Sequence, residues 1–337
     1  MRVTLVAVFL LLLSVPAWGT QSLRVYFIDV EGGQATLFVS PSGESMLVDT
    51  GWPDANGRDA GRITEVAKLA GVTRIDYLVI THYHLDHVGG VPQLAERLPI
   101  GTFVDHGHSV ETGGQATELY QAYVRTRDRG SHLIVRAGDR IPIEGINVEV
   151  LSSSGQVISR PLPGAGRPNP LCAGSKRREA DPTENAQSIG MLVTFGKFRM
   201  IDLGDLTWNK ELELVCPVNK IGRVDVYLST HHGMNLSGAP AIVHAMAPVV
   251  AIMNNGARKG GSPEAWQTMR SSPGLEDIWQ LHYAVEAGRE HNAPDSLIAN
   301  LTETPHANWI MLSARSDGQF TVTNSRNGKI KTYESRH

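Results

Sequence analysis

Cysteine is almost missing: Cys172 and Cys216 are the only two in 337 residues. Neither sits in a paired zinc-type arrangement, which argues against thiolate ligation of a metal. Their spacing leaves open whether they pair with each other, as an oxidising compartment would permit. An excess of either charge is missing too. The net charge is −3 and falls by one if Arg2 is removed with a leader, so no general electrostatic footprint for nucleic acid is present. Beyond the first residues, no run is long or apolar enough for a membrane helix. There is no repeat of fixed period, no composition break between domains, and no low-complexity tract outside one Pro- and Gly-rich segment at 152–187.

What is present begins with 41% hydrophobic residues, enough to bury a large core in one big domain or two. Met1 and Arg2 precede an apolar run over 3–15 and the small-residue site Ala17-Trp18-Gly19. A basic start, a run too short to span a bilayer comfortably and a small-x-small site predict a signal peptide over 1–19. The alternative is an uncleaved anchor. The mature chain, 20–337, is then expected to be secreted or periplasmic, free of the membrane; its oligomeric state is not legible.

One stretch organises the rest: His82-Tyr83-His84-Leu85-Asp86-His87, directly after the apolar run 75–80. That run reads as a buried strand, so four ligand-type side chains stand at a strand exit. His82 and His84, two apart in extended backbone, point the same way and can chelate one metal. Asp86 and His87 follow as the chain turns and reach a second. Imidazole and carboxylate suit one or two Zn²⁺ ions, with Mn²⁺ or Fe as alternatives.

The pattern of apolar strand followed by ligand-type residue recurs. Strands over 23–30, 35–39 and 45–49 lead to Asp49, placed to orient a ligand histidine. A helix is expected over 59–70, a second over 91–98, a strand over 101–105 and a helix over 118–129. Strands at 140–142 and 146–151 precede the long loop 152–187, expected to act as a lid or to be partly disordered. Lys176-Arg177-Arg178 lies within it, either solvated or in contact with an anionic substrate. A hairpin over 188–205 delivers Gly204-Asp205, a carboxylate suited to bridge two metals. The run 224–230 ends in His231-His232. His231 is expected to complete the second metal's ligands, with His232 lining the pocket. Further helices and strands follow, and the part from about 255 is expected to be a C-terminal extension.

Taken in order, Asp49, His82-x-His84-x-Asp86-His87, Gly204-Asp205 and His231 resemble the motifs of the metallo-β-lactamase superfamily. The resemblance implies an α/β fold, an αββα four-layer sandwich with a one- or two-metal site at the sheet edge. Within the superfamily, the segments at 27–35 and 185–188 and His231-His232-Gly233 resemble the hydrolase domain of bacterial DNA-uptake competence proteins, which implies phosphodiester hydrolysis. Carried over, His82 and His84 hold the first metal, Asp86, His87 and His231 the second, and Asp205 bridges. The chain departs from that branch at Glu31-Gly32-Gly33-Gln34, where Gly-Gln-Gly-Asp is usual, and at His84, where Asp is usual. No third histidine for the first metal is evident; Asn185 stands at that place in order, as a metal or substrate contact.

The expected chemistry is hydrolysis by metal-activated water. Asp86 orients the water and accepts its proton, and His232 stabilises the developing charge. A phosphodiester is the first choice of substrate. A lactone, β-lactam or thioester is the alternative, and a non-enzymatic metal-binding module a third reading.

Overall fold

The computed structural model describes residues 22–53, 56–304 and 306–337. The expected leader at 1–19 lies outside the described residues. Among those described, no helix is long and apolar enough to cross a membrane.

Two mixed sheets of nine strands each stack face to face. In the first, Leu23–Phe27 lies between Thr36–Val39 and Ile310–Ala314, antiparallel to both, with Val25 opposite Phe38 and Leu312. Ser45–Val48, Ile75–Val79, Ile100–Asp105 and Ser131–Ile134 then run parallel. In the second sheet, Phe198–Asp202, Val226–Leu228, Val250–Met253, Asp277–His282 and Ile298–Asn300 are parallel in sequence order.

Alternation along each strand sorts the core into layers. Val25, Phe27, Phe38, Met46 and Val48 point into the space between the sheets and join Val148, Met191 and Met200 in one cluster. Their neighbours Tyr26, Ile28, Leu37, Val39 and Leu47 face the other way, against Ala60, Ile63 and Leu94 of the outer helices. Strands buried on both faces must be apolar throughout, as Thr36–Val39 and Val250–Met253 nearly are. Helices Trp208–Val215, Pro240–Met246 and Pro263–Arg270 cover the second sheet through Leu212, Ile242 and Met269. The result is the expected αββα sandwich.

Among the described residues, three strands longer than two residues went unread in the sequence: Ser131–Ile134, Ile298–Asn300 and Ile330–Glu334. Each is short and lies at a sheet edge, where pairing on one side suffices and the apolar pattern is weak. Residues beyond about 255, expected as an extension, are woven into both sheets.

The segment 152–187 is irregular, as read, but it is not loose. Ile158 and Leu162 are buried, the Leu162 amide donates to the Lys220 carbonyl at 2.9 Å, and Cys172 is bonded to Cys216. Its basic run is spent on the protein itself. The Arg178 guanidinium lies 3.6 Å over the Trp208 ring and donates to the Asn235 carbonyl. Arg177 pairs with Glu213 at 3.4 Å. Two of its three residues thus have partners on the protein's own surface.

Candidate metal centre

Five strands deliver the centre from their C-terminal ends, the edge at which sites form in open α/β sheets. Ser45–Val48 leads to Asp49, Ile75–Val79 to His82 through His87, and Phe198–Asp202 to Asp205. Val226–Leu228 leads to His231 and His232, and Val250–Met253 to Lys259. Backbone contacts lock these exits together. The Asp49 amide donates to Val79 O at 2.9 Å, and the His231 amide to Gly204 O at 3.0 Å. Gly204 has φ +55° and packs where an added Cβ would meet Thr81 Cβ at 3.0 Å, so only glycine lets the Asp205 turn come this close.

Asp86, His87, Asp205 and His232 each offer one ligand atom, and the four atoms lie within 4.8 Å of one another. His87 is fully buried between carboxylates. Its Nδ1 is 2.7 Å from Asp49 Oδ2, and its Nε2 is 3.3 Å from Oδ2 of both Asp86 and Asp205. Asp49 accepts a hydrogen bond from Nδ1–H and so aims the Nε2 lone pair at those two oxygens. A lone pair facing two carboxylates is unfavourable without a positive charge between them. Burial opposes a charge on His87, but Asp205, Asp86 and Asp49 outweigh it and hold its pKa well above the ordinary value. Asp86 and Asp205 are held well below theirs: burial works against this and the surrounding histidines overcome it. A divalent cation satisfies the same field, and the donor types match zinc chemistry.

Asp205 is the hub. Its Oδ2 is 3.3 Å from His231 Nε2 and 4.0 Å from His82 Nε2, and its Oδ1 is 3.4 Å from His232 Nε2. Oδ1 makes no hydrogen bond of good geometry among the described residues. On the far side, His82 Nε2 faces His84 Nδ1 at 3.1 Å. His82 and His87 both approach Asp205 Oδ2, His232 approaches Oδ1, and His84 meets the set through His82.

Of the two adjacent histidines, the one expected to line the pocket belongs to the four-donor cluster. His232, not His231, joins Asp86, His87 and Asp205, and its Nε2 stands 3.2 Å from Asp86 Oδ2 rather than free to stabilise a charge in the pocket. His231 reaches only Asp205 Oδ2, with its Nδ1 3.4 Å from Ser237 Oγ. The cause is backbone conformation: both residues have φ +55°, so successive side chains do not alternate as in a strand. Such strain costs on the order of 1–3 kcal/mol per residue. Glu211 helps to hold it. This buried carboxylate accepts the Gly238 and Ala239 amides, each at 3.0 Å, and hydrogen-bonds Thr230.

Burial pushes the Glu211 pKa up to about 7 from the ordinary 4.5, so the folded chain keeps a proton that the unfolded chain loses first. The resulting stabilisation is complete below pH 4.5 and gone once the pH has risen past 7. Urea unfolding is expected to lose on the order of 3 kcal/mol across that window from this group. Glu211→Gln should flatten that part of the profile; an unchanged slope would assign it elsewhere.

Three residues near the centre carried no sequence signal. The Lys259 ammonium pairs with Asp86 Oδ2 and lies 4.9 Å from the Trp52 ring. Glu111 Oε1 is 3.0 Å from His84 Nε2. Glu184 Oε2 accepts the Tyr83 amide at 3.3 Å. Contacts across 173, 27 and 101 positions leave no local pattern. Asn185 follows Glu184, and its buried Oδ1 has no partner among the described residues. Among the described residues, no hydrogen bond joins the Asn185 side chain to the donor set.

Residues 28–167 match the family model described as the metallo-beta-lactamase superfamily. Recombination protein 2 of Haemophilus influenzae is 25% identical over 248 residues, 72% of this chain and 25% of that protein. Hydroxyacylglutathione hydrolase of Klebsiella pneumoniae is 33% identical over 81 residues, 24% of this chain and 26% of that protein. The chain thus spans about a quarter of the length of each of these curated relatives. Among solved structures, the metallo-beta-lactamase fold protein YhfI from Bacillus subtilis is similar at 13% identity and a TM-score of 0.45, covering 77% of this chain and 96% of that one.

Proposed function

We propose that the chain, whose residues 28–167 match the metallo-β-lactamase superfamily, is a metal-dependent hydrolase acting on a phosphodiester. The observation that carries the reading is the convergence of Asp86, His87, Asp205 and His232 on one point, with a lysine ammonium beside it. Zn²⁺ held there would lower the pKa of a bound water from ~15.7 to about 7, supplying hydroxide at neutral pH.

The chain's own residues do the rest. Asp49 and Thr81 fix the imidazoles from behind. Asp86, the most exposed of the four donors, is placed to orient the attacking water and take its proton. Lys259 takes the charge-stabilising role first expected of His232. Its side chain is about a third exposed, so it can meet an incoming anion. That favours a phosphodiester, anionic in itself, over a neutral carbonyl compound.

A second reading, hydrolysis of a thioester or lactone, draws on the likeness to hydroxyacylglutathione hydrolase. The signal-type start and the Cys172–Cys216 disulfide support a secreted or periplasmic setting. The test is turnover of bis(p-nitrophenyl) phosphate beside nitrocefin and a simple lactone, with and without chelator. Chelator-sensitive cleavage of the diester is expected. Lys259→Met is expected to raise KM for the diester about tenfold, the loss of one charge-assisted contact, and to leave the lactone within twofold. Equal effects on both, or turnover of the carbonyl substrates alone, would favour the second reading.

A further inference from the structure

Glu111 and Glu184 lie outside the donor set, yet they decide what state His84 can adopt. A carboxylate only accepts, so with Glu111 Oε1 at 3.0 Å the proton of His84 sits on Nε2 and its Nδ1 is a bare lone pair. His82 is fixed from its other side. Its Nδ1 donates to Thr81 Oγ1 at 3.0 Å, whose own hydrogen goes to Asp49 Oδ2 at 2.7 Å. His82 Nε2 is therefore a lone pair as well. Two lone pairs stand 3.1 Å apart with no hydrogen between them, which a cation relieves.

Without Glu111 the simplest relief is different. His84 is about 29% exposed, so water can receive either ring nitrogen and nothing else fixes its tautomer. Moving the proton to Nδ1 gives an ordinary hydrogen bond to His82 Nε2. Both rings are then satisfied, and the pair is closed to a metal.

Glu184 keeps Glu111 in place. It is about 1% exposed, and three of its four accepted hydrogen bonds fasten the stretch leading into Glu111. Oε1 accepts the Val110 amide at 2.7 Å and the Ser109 hydroxyl at 2.9 Å. Oε2 accepts His106 Nε2 at 2.9 Å and the amide of Tyr83, the residue between the two histidines, at 3.3 Å. The Glu184 amide in turn donates to Glu111 Oε1 at 3.2 Å. The loop and the histidine pair are thereby tied to one another at both ends.

We infer that Glu111 is a positioning residue that keeps the His82–His84 position open to a cation, with Glu184 as its anchor, independently of the position at Asp86, His87 and His232. The inference rests on the metal-centre reading above, and titration of the metal-free protein with Co²⁺ separates the two. Binding is followed calorimetrically and by the visible absorption of the bound ion, without substrate. The wild type is expected to take two ions. Glu111→Ala should keep one at unchanged affinity and bind the other 10- to 100-fold more weakly, the usual scale for a lost partner of a metal-bound imidazole. Glu111→Gln should restore most of the loss, because its amide oxygen still accepts from His84 and Glu184. Circular dichroism shows that each variant is folded. A wild type that takes no ion would remove the metal-centre reading itself. One that takes a single ion, a Glu111→Ala variant that still takes two equally well, or a folded Glu111→Gln variant as impaired as Ala would overturn the inference while leaving the metal centre standing.

Discussion

Asp205→Ala is expected to lower kcat/KM by about a thousandfold or more and to strip the centre of bound metal. Four imidazoles from two parts of the chain converge on this one side chain: His82 and His87, and His231 with His232, all within 4.0 Å. Asp205 is also one of the two carboxylates in the four-donor cluster. Its removal leaves the histidines facing one another around a space that no side chain fills. Losing one partner of a buried charged set costs about 3–5 kcal/mol, and about 1.4 kcal/mol corresponds to a factor of ten in rate. Asp205→Asn keeps the shape and the Oδ1 acceptor but loses the charge, so it should fall between the two. Steady-state kinetics with metal analysis of the same preparations checks this. Near-normal activity in Asp205→Ala would mean that the cluster is not where hydrolysis occurs.

Removing the disulfide by Cys172→Ala with Cys216→Ala is expected to cost about 4 kcal/mol of stability. The bridge closes a loop spanning 44 positions, and the chain-entropy relation gives roughly that value for a loop of such length. One end of the bridge anchors the irregular segment that carries Cys172, which has little regular structure of its own. Between the strand Asn147–Ser153 and the strand Gly190–Phe195 it holds only two-residue bridges and short 3₁₀ turns. Chemical denaturation at matched slopes measures the effect, and the reduced wild type should unfold with the double variant. The Arg178–Trp208 stack lies just beyond the bridge. Its loosening should appear as a change in tryptophan emission. A loss under 1 kcal/mol would show that burial of Ile158 and Leu162 holds the segment without help.

What was legible in the sequence had local causes. Buried strands were legible in apolar runs such as Val250–Met253, too uniformly hydrophobic for a half-exposed strand, while the four-layer sandwich was implied by the motif resemblance. His82 to His87 were legible because they crowd into six positions at one strand exit, and Asp205 because it stands at the exit of another. What was not legible depended on distance along the chain or on backbone strain. Two consecutive residues at φ +55° exchange the sides of His231 and His232, and no composition rule foretells that. The departure at Gln34 becomes intelligible only in three dimensions. Its amide donates to Asp202 Oδ2 at 2.8 Å, and Asp202 holds the Gly204 amide at 3.0 Å behind the Asp205 turn. Burial pushes the Asp202 pKa up to about 6. An aspartate at position 34 would set a second buried carboxylate against the first, which this chain avoids by using an amide.

The most direct test is a crystal structure of the protein soaked with Zn²⁺, with anomalous scattering recorded at the zinc edge. The account predicts a peak within bonding distance of His87 Nε2, His232 Nε2, Asp86 and Asp205. A zinc-soaked crystal with those four side chains in place and no anomalous peak among them would contradict it.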